Sequence, residues 1–195
     1  MDDILASLPE LQRAAFVVLL AVYWITEALL LSHMQAGQTD RIEDHGTTQL
    51  FQIVLPLSYV LAIIATKLSW APMMASAGVW VGLALMVAGQ LLRWWAVATL
   101  GRLFTVNVAI RPEHRVITSG PYRYVRHPAY TALVLLHLGA GLCLGNLVSL
   151  VLLTVPITLV LLRRIQVEEA AILAEFGPAY RGYAARTWRL LPGIY

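Results

Sequence analysis

AYTALVLLHLGAGLCLGNLVSLVLLTVPITLVLL, residues 129–162, contains no Asp, Glu, Lys or Arg, and its reading decides the fold. Two apolar runs, Ala129 to Leu144 and Leu147 to Leu162, are separated only by Gly145 and Asn146. Each is short but near the length a helix needs to cross a ~30 Å hydrocarbon core, so the pair predicts a tight helical hairpin that returns the chain to the side it came from. Gly139, Gly141 and Gly145 would let these backbones approach closely, as small residues do between membrane helices. Working outward, hydropathy marks three further spans, about Ala14 to Leu31, Leu50 to Ala65 and Met73 to Ala98. Gly78 and Gly82 in the third of these read as packing residues too. The expected architecture is an all-α integral membrane protein, one membrane domain over residues 1–195. It has five transmembrane helices, the hairpin formed by the last two, and a C-terminal interfacial helical segment.

Composition agrees: 59% of the residues are apolar and 13% charged, far from a water-soluble domain. The net charge of +3 does not call for nucleic acid, because membrane proteins collect Arg on their cytoplasmic face. Arg102, Arg111, Arg115, Arg123 and Arg126 lie between spans three and four; Arg163, Arg164, Arg181, Arg186 and Arg189 follow span five. Both segments are expected in the cytoplasm, which places the N-terminus outside. Asp2 and Asp3 open the chain in place of a basic segment, so no removable signal peptide is expected. Cys143 has no disulfide partner and reads as packing. No G-x-G-x-x-G follows a strand, which excludes a Rossmann cofactor domain. His33, His45, His114, His127 and His137 form no ligand pair at helical spacing, so no metal site is expected. His137 is intramembrane and either lines an acceptor tunnel or bonds a neighbouring helix. Arg93, with Trp94 and Trp95, reads as a snorkelling interfacial residue.

The densest polar segment is Gly120-Pro121-Tyr122-Arg123-Tyr124-Val125-Arg126-His127-Pro128-Ala129-Tyr130. Pro128 suits the first turn of a helix, which puts His127 at its entrance beside free backbone N–H groups that favour anions. Arg126 could clamp a carboxylate or phosphate there, or the segment could simply anchor in lipid headgroups. The hairpin brings a second cluster, Arg163-Arg164-Ile165-Gln166-Val167-Glu168-Glu169, back beside it. Arg164 and Glu168 stand one helical turn apart and could pair. Glu169 has no such local partner, and two carboxylates would suit a cationic ligand. Val167 to Tyr183 is helix-compatible as far as Gly177-Pro178 and should lie along the membrane surface. Tyr180, Tyr183, Trp188 and Tyr195 then belong to an interfacial aromatic belt or a pocket roof.

Arg126-His127-Pro128-Ala129-Tyr130 followed by Glu168-Glu169 resembles the isoprenylcysteine carboxyl methyltransferase family and its phospholipid methyltransferase relatives. Leu100 to Thr105, His114 to Tyr122 and Glu175 to Tyr180 also look like that family. The resemblance implies a membrane enzyme that binds S-adenosylmethionine in a cytoplasmic pocket and methylates a lipid-like or prenylated acceptor entering from the bilayer. Carried over, His114, Val116, Gly120, Tyr122, His127, Tyr130 and Tyr180 would line the cofactor pocket. Glu168 or Glu169 would meet the cationic methionine end. Arg126, Arg164 and Glu168 are the catalytic candidates, with either Arg orienting the acceptor. The resemblance covers residues 93–192, leaving 1–72 as a variable two-span region where acceptor choice could lie. The acceptor could be a prenylcysteine carboxylate, a phenolic or pyrone lipid, or a phospholipid amine. A sterol-reductase-like NADPH enzyme and a non-enzymatic membrane adaptor are the rival classes, and the oligomeric state is open.

Overall fold

A computed structural model describes residues 9–37, 40–68, 71, 76–111, 113–193 and 195. Asp2, Asp3 and the Met73 start of the third predicted span lie outside the described residues. Among the described residues five α-helices follow in order: α1 (Glu10–His33), α2 (Thr47–Lys67), α3 (Ser76–Leu100), α4 (Pro128–Cys143) and α5 (Leu147–Ala184). Four of them are long and apolar enough to span a bilayer. The 16 residues of α4 rise about 24 Å and pair with α5 in the predicted hairpin. Large apolar side chains such as Ile25, Ile53, Val81 and Leu159 are exposed on the outer surface, where lipid rather than water would cover them. The chain is an integral membrane protein.

The core lies where α3 crosses α4 and α2 crosses α5, around Leu83, Met86, Leu136, Leu153, Ile157 and Leu161. At the first crossing the backbones nearly touch: a Cβ on Gly139 would sit 2.5 Å from the Gly82 carbonyl oxygen, and one on Gly82 would sit 2.6 Å from that of Gly139. Gly78 meets nothing within 4 Å, and its expected packing role falls instead to Gly89, whose Cβ would lie 2.8 Å from the Ala132 carbonyl oxygen. Gly139→Val is expected to force α3 and α4 apart and cost about 1–3 kcal/mol or more. Thermal unfolding in detergent measures this, and a wild-type transition would show that the crossing tolerates a side chain.

At the second crossing Asn146 caps α5, its side chain accepting from the Ser149 N–H at 3.0 Å. The Ser149 hydroxyl bonds the Thr66 hydroxyl at 2.7 Å and the Ala62 carbonyl at 2.7 Å. In a membrane such bonds matter because no water competes for these groups.

Two expectations change, and a third, left open, is decided. The fifth apolar run does not end near Leu162: no breaker occurs before Gly177, and the run continues as one helix through Arg164, Glu168 and Glu169. The expected separate surface segment from Val167 is therefore the extension of α5. The helix breaks at Gly177, whose φ of 48° and ψ of −118° suit a residue without a Cβ. Arg93 does not snorkel. It is buried and forms a bidentate pair with Glu27, Nε to Oε1 at 2.9 Å and Nη2 to Oε2 at 3.0 Å, joining α3 to α1. His137 is fully buried and does not line the cavity described below; its Nδ1 bonds the Leu133 carbonyl at 2.6 Å and its Nε2 the Tyr23 hydroxyl at 3.4 Å. The bond to a neighbouring helix is the reading that holds.

A short antiparallel pair, Arg41–Ile42 (β1) with Ala109–Ile110 (β2), was not expected. It ties the segment after α1 to the segment after α3 and so closes one side of the space described next.

Candidate active site

Between the ends of α1, α2 and α3, the 101–117 segment and the extended part of α5 lies a cavity of about 420 Å³. Its lining combines apolar side chains, among them Trp24, Leu31, Phe51, Leu55 and Phe104, with polar ones, among them His114, Arg126, His127, Tyr130, Glu168 and Tyr180 and the paired Glu27 and Arg93. Such a combination, apolar walls with a few convergent polar groups, is typical of ligand sites.

The polar groups gather at the entrance of α4. His127 precedes Pro128 at N1 and stacks on Tyr130, ring centroids 5.4 Å apart and planes 4° from parallel. The extension of α5 then delivers two carboxylates with different surroundings. Glu169 points toward two guanidinium groups and an imidazole: Arg126 Nε donates to it at 2.8 Å, Arg189 Nε at 2.9 Å, and His127 Nε2 lies at 3.2 Å. Its side chain is 13% exposed and it does not line the cavity, whereas the Glu168 side chain is 29% exposed and does. Glu168 receives one neutral donor, the Tyr130 hydroxyl at 2.6 Å, with His127 Nδ1 more distant at 3.8 Å.

The expected Arg164–Glu168 pair does not form. Arg164 Nη1 instead donates to Asp44 at 3.1 Å, Thr47 at 3.1 Å and Thr48 at 2.9 Å, its Nε to the Tyr130 hydroxyl at 2.8 Å, and its Nη2 to the Val106 carbonyl. Nor is Arg126 an open clamp: beyond Glu169 it donates to the Ala184 carbonyl at 2.8 Å and to the Thr187 carbonyl. The backbone reinforces this, with Arg126 N–H donating to Trp188 at 2.7 Å, His127 N–H to Arg189 at 3.0 Å and Trp188 N–H to Tyr124 at 3.1 Å. Residues 184–190 are thus strapped across the α4 entrance.

Of the other candidates, Val116 and Tyr122 line the cavity. Tyr180 and Tyr183 are buried, and Tyr183 donates to the Tyr122 carbonyl at 2.8 Å, so both belong to the pocket roof, while Trp188 and Tyr195 are exposed. Gly120 does not line the cavity. Its φ is +57° and a Cβ there would lie 2.8 Å from the Thr99 hydroxyl, which makes it a packing residue against α3. Burial holds His114 below its ordinary pKa, with Arg111 adding to the shift against the pull of Glu168, so the ring is neutral at pH 7. Its buried Nδ1 has no hydrogen-bond partner among the described residues.

Asp44, Thr47, Thr48, Glu27 and Arg93 were not among the sequence candidates. A signal existed for the first three: an acid followed by Thr-Thr immediately before an apolar run is a helix-start pattern, and Asp44 accepts from the Thr48 N–H at 2.9 Å.

Residues 80–174 match the Isoprenylcysteine carboxyl methyltransferase (ICMT) family. The "Probable protein-S-isoprenylcysteine O-methyltransferase" of Oryza sativa subsp. japonica is 37% identical over 121 residues, 59% of this chain and 61% of the rice protein. "Protein-S-isoprenylcysteine O-methyltransferase B" of Arabidopsis thaliana is 30% identical over 154 residues, 73% of this chain and 78% of that protein. The chain belongs to the isoprenylcysteine carboxyl methyltransferase family. A solved structure of the eukaryotic intramembrane Ras methyltransferase ICMT is also similar, with a TM-score of 0.59 and 26% identity, covering 74% of this chain and 52% of that one. The match to the rice protein thus spans about three fifths of its length. The family match takes in most of α3, all of α4 and the first part of α5, so it includes Arg126 to Tyr130 and Glu168-Glu169; Glu27 and Asp44 lie before it.

Proposed function

We propose that this isoprenylcysteine carboxyl methyltransferase family member transfers a methyl group from S-adenosylmethionine to the carboxylate of an S-isoprenylated cysteine or a closely similar lipid acceptor. The observation that carries the reading is Glu168, a carboxylate facing the cavity without a close cationic partner, in a pocket that is otherwise largely apolar. S-adenosylmethionine would supply an electrophilic methyl on a sulfonium centre. The residues present fit such a group: Glu168 answers a cation, and the orphaned His114 Nδ1 offers a polar contact.

In this reading His127, Tyr130 and Tyr180 wall the methyl-donor side, and the strap over residues 184–190 excludes water. Trp24 of α1 meets Tyr59 of α2 in a ring contact at 5.3 Å. An isoprenyl chain entering from the bilayer would lie against Trp24, Leu31 and Phe51 of the cavity wall. A carboxylate acceptor needs no proton removed, and displacement depends chiefly on alignment and desolvation. Residues 93–192 would form the donor pocket and residues 1–72 the acceptor side. The N-terminus would face outside and the site the cytoplasm, following the Arg distribution. The names of the rice and Arabidopsis relatives support the choice of acceptor.

Protein reconstituted in lipid nanodiscs, given methyl-labelled S-adenosylmethionine and an S-isoprenylated cysteine with a free carboxylate, is expected to release S-adenosylhomocysteine and a base-labile methyl ester in equal amounts. Donor binding without ester formation would move the acceptor to another lipid class. No donor binding would overturn the reading.

A further inference from the structure

Arg164 and Glu168 are placed to neutralise each other. They lie four residues apart on one face of α5, where opposite charges meet by default. Such a pair would occupy the cavity-facing carboxylate that carries the proposed function; Glu27, which also lines the cavity, is already paired with Arg93. Yet no guanidinium nitrogen of Arg164 comes within 4.0 Å of Glu168 among the described residues. The cause lies outside the helix. Asp44, 5% exposed in the segment between β1 and α2, accepts from Arg164 at 3.1 Å and from four other donors: the Thr48 N–H at 2.9 Å, the Thr48 hydroxyl at 2.7 Å, the Thr47 hydroxyl at 3.0 Å and the Val108 N–H at 3.2 Å. Burial raises the Asp44 pKa, but the Thr48 and Val108 donors and the Arg164 charge outweigh it and hold the carboxyl below its ordinary range, so the anion persists. Thr47, Thr48 and the Val106 carbonyl take up further Arg164 donors on the same side. Only its Nε faces back, and it meets the Tyr130 hydroxyl at 2.8 Å rather than the carboxylate beyond it.

We propose that Asp44 is an internal counter-ion that holds Arg164 away from Glu168 and so leaves Glu168 open to a cationic ligand in the cavity. Asp44 is a positioning residue: it acts through Arg164 and does not line the cavity itself. Without its charge, Arg164 would be a buried cation in need of an anion, and Glu168 is one turn away. Through Asp44 the segment before α2 would also have a role in donor binding, beside the acceptor choice expected to lie in residues 1–72.

This inference rests on the proposed binding of S-adenosylmethionine, and the two can fail separately. Calorimetry of S-adenosylmethionine with nanodisc-embedded wild type comes first; no binding there overturns the functional reading. With binding established, Asp44→Asn is expected to raise Kd at least about tenfold. The deciding variant is Asp44→Asn with Arg164→Gln, which also removes the competing cation. It should recover Kd to within about threefold of wild type, whereas a residue that only supports the fold would leave the double variant as weak as the single one or weaker. Asp44→Glu keeps the anion and should stay within about threefold even if Asp44→Asn fails to fold. An unchanged Kd in Asp44→Asn, no recovery in the double variant, or a tenfold loss in Asp44→Glu would overturn the proposal.

Discussion

Glu168→Gln and Glu169→Gln, adjacent and chemically identical changes, are expected to have opposite consequences. Glu168→Gln should leave thermal stability near wild type, because its side chain is 29% exposed and loses only the ionised acceptor of one Tyr130 bond at 2.6 Å. It should weaken S-adenosylmethionine binding roughly 10- to 100-fold, the range for losing a hydrogen-bonded charge partner worth about 1.5–3 kcal/mol. Glu169→Gln should instead destabilise the fold. It leaves Arg126, whose side chain is 11% exposed, and Arg189 without their shared anion and unpins the strap from the α4 entrance. Breaking a fully buried pair costs about 3–5 kcal/mol, and because Arg189 is 39% exposed a smaller loss of about 2–3 kcal/mol is expected. Calorimetry and thermal unfolding of each single variant separate the two. A stable Glu169→Gln protein with lost binding would reverse the assignment.

The second large effect lies deeper in the membrane. Glu27→Ala should cost about 3–5 kcal/mol, because it leaves Arg93 without its carboxylate in a site where the two side chains are 9% and 6% exposed. The remaining contacts of Arg93, the Ala129 carbonyl at 3.5 Å and the Phe104 ring at 5.4 Å, cannot replace it. Replacing both partners together, Glu27→Leu with Arg93→Met, should recover most of the loss, since neither charge is then left unpaired. If Glu27→Ala melted like wild type, Arg93 would be reaching water after all, as its place beside Trp94 and Trp95 suggested.

What could be read from residue order was whatever depends on local periodicity and on short chain connections. The apolar runs located the five helices to within a few residues at most ends, because a bilayer demands about 20 apolar residues whatever the partners are. Gly145-Asn146 settled the hairpin, and through it the convergence of Arg126-His127 with Glu168-Glu169, since two abutting spans can only return side by side. The continuation of α5 past Leu162 was legible too, in the absence of any breaker before Gly177, but charged residues after an apolar run suggested a change of direction.

Tertiary structure alone decided which charge meets which. Arg93, Arg126, Arg164, Glu168 and Glu169 all looked available, and local rules offered only the Arg164–Glu168 pair or a route to water. Their actual partners are Glu27 for Arg93, Glu169 for Arg126 and Asp44 for Arg164, all more than forty positions away. A buried charge takes the anion that the fold brings within 3 Å or so, because leaving it unpaired costs more than any local preference of a few tenths of a kcal/mol can offset. Residue order therefore determined a five-helix membrane protein with one polar site, and only packing turned Glu168 rather than Glu169 to the cavity and gave Arg126 and Arg164 other anions as partners.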